Sequence, residues 1–166
     1  MLFRSNNVSQ SRYCNIDIAN ADEPKANQLF RLLGALTDEY VVLLEHDFFI
    51  THPVNIILFE AIWDFCNNEG ADRFSLQSKN AHSYPFWSYT DKEILGNTVY
   101  SSNAEVKLPF SLEASIWRRK FLLENIALGE NDAEIEINGS KRIRAFPTKI
   151  FALDTIVIHY LDAVRS

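Results

Sequence analysis

Residues 40–51, YVVLLEHDFFIT, constrain this chain more than any other stretch: an apolar run ends by presenting two acids, Glu45 and Asp47, one position apart. The run is shorter than the ~18 apolar residues a membrane-spanning helix needs. Its Val, Leu, Phe and Ile content without polar alternation reads as a strand buried on both faces of a parallel sheet. Side chains two apart on a strand point to the same side, so both carboxylates face one spot at the strand's end. Ligands of such sheets bind beyond the carboxyl ends of the strands, and paired carboxylates there suit Mg²⁺ or Mn²⁺. Acid pairs at this spacing also occur on solvated strand ends; the position directly after a core strand is what favours function. His46 points to the opposite side and reads as a packed or solvent-bonded histidine.

Around this run the chain reads as alternating strands and helices. Residues 13–19 alternate like a strand, and residues 25–36 carry Leu29, Phe30, Leu32, Leu33 and Leu36 at helical spacing. Strand, helix, strand is the crossover unit of a parallel α/β sheet. After the His52-Pro53 break, residues 54–67 predict a second helix ended by Gly70, and residues 72–78 another strand. Residues 79–102 hold His82, Tyr84, Phe86, Trp87, Tyr89 and Tyr100 with little periodicity, the pattern of a binding loop. Residues 109–112 read as extended, 113–125 as a helix and 130–137 as an acidic segment of helical type. Asn138-Gly139 marks a turn, and residues 143–146 and 150–160 read as closing strands. The fold expected is α/β, a mainly parallel, Rossmann-like sheet flanked by helices.

With 166 residues and 47% apolar content the chain suits one domain with a real core. Its net charge of −6 without long acidic runs disfavours nucleic acid or an anionic membrane as a partner. Cys14 and Cys66 have no CxxC spacing and read as reduced thiols. No basic flank precedes an apolar leader, so the expected location is cytoplasmic. Residues 1–12 are expected to be a disordered or non-native leader, and residues 13–166 a domain incomplete at its N-terminus.

A second constellation, residues 111–142 (SLEASIWRRKFLLENIALGENDAEIEINGSKR), sets Glu113, Glu130, Glu134 and Glu136 around Trp117, Arg118 and Arg119. A carboxylate in reach of an acceptor hydroxyl can act as a general base, and an arginine pair can clamp an anion. The bland reading is a helix with solvated charges.

Together EHDFF, ASIWRRKFLL and the GEN…EIEINGSKR run resemble bacterial GT-A glycosyltransferases of the family 2-like group, over nearly the whole chain. The resemblance implies a nucleotide-diphosphosugar donor, Mg²⁺ or Mn²⁺, and inverting transfer of the sugar to a hydroxyl of a glycan or lipid-linked acceptor, with peripheral membrane association through that acceptor. It implies work on cell-envelope polysaccharide. In matching positions Asp47 becomes the metal ligand, and Glu45 contacts the metal's water shell or the ribose. Glu130 and Glu136 become candidates for the acceptor base, while Glu113, Trp117, Arg118 and Trp87 shape the substrate side. The chain departs from the family where Glu45 replaces an Asp and where Asp132-Ala133 replace a Pro-Trp pair. The family's base-gripping first strand and loop have no counterpart, so the rival expectation is a non-catalytic nucleotide- or carbohydrate-binding remnant. A metal-dependent phosphohydrolase is a third, but His52, His82 and His159 show no ligand spacing.

Overall fold

The structure, a computed structural model, describes residues 2–4, 12–14, 23–45, 48–78, 87–102 and 107–162. Three strands and a helix open the chain: β1 (Leu2–Arg4), β2 (Arg12–Cys14), α1 (Lys25–Gly34) and β3 (Tyr40–Leu43). β4 (Phe48–Ile50), α2 (Ile56–Glu69) and β5 (Arg73–Ser75) follow, then the hairpin β6 (Trp87–Ile94) and β7 (Asn97–Ser102). The chain continues through β8 (Ser115–Arg118), α3 (Arg119–Glu124), α4 (Asp132–Ile143), β9 (Ile150–Leu153) and β10 (Tyr160–Asp162). Leu2–Arg4, placed by the sequence in a leader, pairs antiparallel with both β2 and β3.

Eight strands form one sheet in the order β2-β1-β3-β8-β5-β9-β7-β6, and β4 pairs with β10 in a small second sheet. The fold is α/β, but the sheet is mixed: among the described strands only β5 and β9 are adjacent and parallel, and the other neighbours are antiparallel. The expected mainly parallel sheet fails for a specific reason. Residues 113–125 form not one helix but the central strand β8 followed by α3. Inserted antiparallel between β3 and β5, β8 separates two strands that run the same way.

The strand at residues 40–43 is buried on both faces, as its composition required. Tyr40, Val42 and Leu44 join Ile116, Phe74 and the α2 residues Leu58, Ile62 and Cys66 in one core layer. Val41 and Leu43 turn the other way, onto Trp117, Ile150 and residues of α1, α3 and α4. Period-two alternation therefore gives the sheet two apolar faces, each covered by helices. α1 covers its face with Ala26, Leu29 and Leu33. α2 begins where the Asn55 side chain accepts from the Leu58 amide at 3.2 Å and ends at left-handed Gly70, the usual pair of helix stops.

Three further expectations are corrected. Residues 87–102 of the anticipated aromatic loop are a β-hairpin, turned at Leu95 and Gly96, both with positive φ, as a tight two-residue turn demands; residues 79–86 lie outside the described residues. Asn138-Gly139 is not a turn but the interior of α4, which starts at a capping box between Asn131 and Glu134. The predicted strand at 143–146 is the end of that helix and its following turn.

Candidate functional site

The strands β3, β5 and β9 run the same way, so their carboxyl ends share one edge of the sheet. Pairing decides which acids reach it. Ser115 lies opposite Leu43 on one side and Ser75 on the other. Glu45, two residues past Leu43, and Glu113, two residues before Ser115, therefore both emerge at that edge. The β5–β8 ladder continues one step beyond the strands, with the Leu76 amide donating to the Ala114 carbonyl at 2.9 Å.

Glu45 is largely enclosed, with 17% of its side chain exposed, and its Oε1 accepts from Lys25 Nζ at 3.1 Å. Lys25 opens α1 and also stands 3.9 Å from Asp132, the first residue of α4. The start of both helices is thus drawn to the end of β3. Asp47 and His46 lie outside the described residues.

Glu113 is held from below. The buried guanidinium of Arg73 donates to Glu113 Oε1 at 2.8 Å, to the Ser115 hydroxyl at 3.1 Å and to the Pro109 carbonyl at 3.1 Å. Ser75 Oγ donates to the same Glu113 oxygen at 2.7 Å. Arg73 and Ser75 sit two apart on β5 and so turn the same way, which is why one strand supplies both donors. The guanidinium also lies 5.1 Å from the centre of the Trp117 ring, close enough for a cation–π contact. Such a charge is retained in a core because each of its three nitrogens donates a hydrogen bond and one goes to a carboxylate.

Glu136, reaching across from α4, accepts from the Ser111 hydroxyl at 3.0 Å and the Leu112 amide at 2.7 Å. It fastens the loop that carries Glu113. Ser140 does the same one turn later, accepting from the Phe110 amide at 3.1 Å.

Glu130 has a different character. Arg142 donates to both of its oxygens, at 2.9 and 2.8 Å, Asn138 adds 3.1 Å and the Ala127 amide 2.9 Å. Its backbone carbonyl accepts from the Ala26 amide at the start of α1, at 3.0 Å. Burial pushes its pKa up, but the hydrogen bonds from Arg142, Ala127 and Asn138 outweigh burial and hold the carboxyl below the usual range. Glu130 is a fastener joining α1, α4 and the turn between α3 and α4, and taking a proton would require breaking those bonds.

The remaining sequence candidates go elsewhere. Trp117 is fully buried, its ring centre 4.7 Å from that of Phe110, so it is core and not a substrate platform. Arg118 stands at the opposite end of β8, opposite Tyr40, and pairs with Asp72 at 3.2 Å. It cannot act together with Glu45. Trp87 opens the outer strand β6 and pairs with Ser102, toward the start of β9 and away from the shared edge. The sequence reading missed Arg73, Ser75 and Lys25; the Arg-x-Ser spacing within a predicted strand was the available signal for the first two.

The groups at the edge are carboxylates, hydroxyls and ammonium or guanidinium ions, with no soft ligand among those named. Among the described residues no three His, Cys, Asp or Glu gather as a ligand set. Of the described acids at this edge, Glu45 is paired with Lys25 and Glu113 with Arg73; carboxylate oxygen is the donor type that Mg²⁺ and Mn²⁺ take. No helix of the described residues is long and apolar enough to cross a membrane. Comparison with protein-family models, curated proteins and solved structures finds no match.

Proposed function

We propose that this chain is a GT-A-type glycosyltransferase that moves a sugar from a nucleotide-diphosphosugar to a hydroxyl of a glycan or lipid-linked acceptor, in the cytoplasm or at the membrane's cytoplasmic face. The observation that carries this reading is the meeting of the two acidic stretches. A strand buried on both faces delivers Glu45 to its carboxyl end, and β8, paired to that strand, brings Glu113 to the same edge. Although the sheet is mixed, β3, β5 and β9 run the same way and end at that edge, the end at which parallel strands of α/β sheets present ligand-binding groups.

In this reading Asp47 and Glu45 face the donor's diphosphate. They would hold a Mg²⁺ or Mn²⁺ ion, which would supply positive charge to the departing nucleoside diphosphate. Glu45 is paired with Lys25 at 3.1 Å, so that edge also carries a cation. A glutamate of the second stretch takes the proton of the acceptor hydroxyl, and attack from the face opposite the leaving group inverts the anomeric carbon. Arg73 stays buried and orients its carboxylate partner.

Thermal unfolding with UDP-, GDP- and dTDP-sugars in the presence of Mn²⁺ tests the proposal. A donor at a hundred times its dissociation constant stabilises the native state by about 2.7 kcal/mol. For a chain of this size that raises Tm by roughly 5–10 °C. Asp47→Ala should lose most of that rise while keeping its own melting temperature. No rise with any donor would leave a sugar- or nucleotide-binding remnant without a competent donor site.

A further inference from the structure

We propose that Glu113 is the carboxylate that takes the acceptor proton, with Arg73 and Ser75 fixing its position and Glu136 holding the loop that carries it; this rests on the glycosyl-transfer reading above. Of the four glutamates named in the second acidic stretch, Glu134 is spent on the capping box, accepting from the Asn131 amide at 3.0 Å, and the surroundings of the other three separate them. Glu130 spends both oxygens on Arg142, Asn138 and the Ala127 amide. Glu136 is committed to the Ser111 hydroxyl and the Leu112 amide, so its charge shapes the backbone directly ahead of Glu113. Glu113 alone of the three stands two residues outside a central strand, on the edge where β3 delivers Glu45.

Its support is of the kind a reacting group needs. Arg73, 2% exposed, and Ser75 meet it at 2.8 and 2.7 Å from a rigid strand, while 22% of the Glu113 side chain reaches solvent. A base held by buried donors loses little freedom at the moment of reaction. In the step itself the acceptor oxygen bonds to the anomeric carbon as its proton passes to the Glu113 carboxylate. The bond from that carbon to the diphosphate oxygen breaks, and its electron pair leaves with the nucleoside diphosphate. Water in the acceptor's place gives the same balance and yields the free sugar.

Release of nucleoside diphosphate from UDP-, GDP- and dTDP-sugars with Mn²⁺, with water or added monosaccharides as acceptor, tests this on the full chain. Glu113→Gln should lower kcat by about 10²- to 10⁴-fold and abolish the acid limb of the pH–rate profile, while donor still raises its Tm. Glu136→Gln should lower kcat less and keep the acid limb, as a positioning residue does. Glu113→Asp preserves the charge opposite Arg73 and serves if the glutamine variant folds poorly. It should retain the acid limb at a reduced rate. Turnover in Glu113→Gln within about threefold of wild type, or an unchanged acid limb, would overturn the assignment and leave glycosyl transfer standing. A folded Glu113→Asp with the wild-type rate would do the same. Wild-type protein that neither binds nor turns over any donor would overturn the reaction and the base together.

Discussion

Gly139→Ala is a sharp test of how α4 is seated. Gly139 lies inside that helix with the Phe110 ring directly against its Cα; an added Cβ would stand 2.6 Å from Phe110 Cδ1, 2.8 Å from Cγ and 3.0 Å from Cε1. Ordinary carbon contacts fall near 3.5–4.0 Å, about an ångström farther. The ring has little room to retreat, because Phe110 is fully buried with its centre 4.7 Å from Trp117 and 6.2 Å from Phe121. Two opposing effects then decide the sign. Alanine in a helix interior gains about 0.5–1 kcal/mol over glycine, whereas overpacking a filled core costs typically about 1–3 kcal/mol. The net expectation is a loss of roughly 1–2 kcal/mol, or about 2–8 °C in Tm. Urea unfolding followed by circular dichroism should show a lower midpoint at unchanged slope. In a Phe110→Leu background the same substitution should cost less by at least about 0.5 kcal/mol, the coupling of two residues in contact. A Gly139→Ala variant as stable as wild type, or an additive double mutant, would refute the claim that close packing and not a turn explains this glycine.

Glu130 and Cys66 supply further tests. The folded Glu130 carboxyl is held below the usual range, so its stabilisation is present above the ordinary glutamate pKa and lost as pH falls through the folded value. Wild type should exceed Glu130→Gln by about 1.5–3 kcal/mol at pH 7, with the gap closing below about pH 4; a gap independent of pH would refute the ionised clamp. Cys66 is buried and free, and burial pushes its thiol well up, only partly opposed by the Arg118 charge. The native protein should therefore leave Cys66 unmodified by a thiol reagent at pH 8, with labelling at that position appearing on unfolding; rapid labelling of Cys66 in native protein would contradict its burial.

The helices and strands that were legible share a property: each carries one unambiguous period or a pair of local stop signals. β3 shows a continuous apolar run, α1 a stripe at three and four spacing, and α2 follows the His52-Pro53 break and stops at Gly70. β8 has neither. Ile116, Trp117, Phe121 and Leu122 fit a helical stripe as well as they fit a strand running into a short helix, and local spacing does not separate the two. What settles the matter is neighbours on both sides, Val42 and Phe74 across from Ile116. The same tertiary override hides the interior of α4. Asn138-Gly139 carries a turn signal, yet Asn138 is spent on Glu130 and Gly139 on Phe110.

The site follows the same division between local and distant information. Two acids after an apolar run are visible in five consecutive residues, but strand geometry does not reach them: β3 ends at Leu43, and the Phe48 amide donates to the Glu45 carbonyl at 3.2 Å, closing a turn. The rank of Glu113, Glu130 and Glu136 is not visible there, since all three are glutamates in one acidic segment and differ only in what surrounds them. Glu113 receives Arg73 and Ser75 from 40 and 38 residues away, contacts that exist only because β8 pairs with β5. Glu130 receives Arg142 from 12 residues on, a contact made when α4 folds back beside the turn that precedes it. A carboxylate enclosed by four donors and a carboxylate propped on a buried guanidinium at a strand edge have the same sequence symbol and different surroundings. The proposed base therefore owes its place to the pairing partner of β8, and a substitution that shifts that register, more than one that removes any single charge, would rearrange the whole edge.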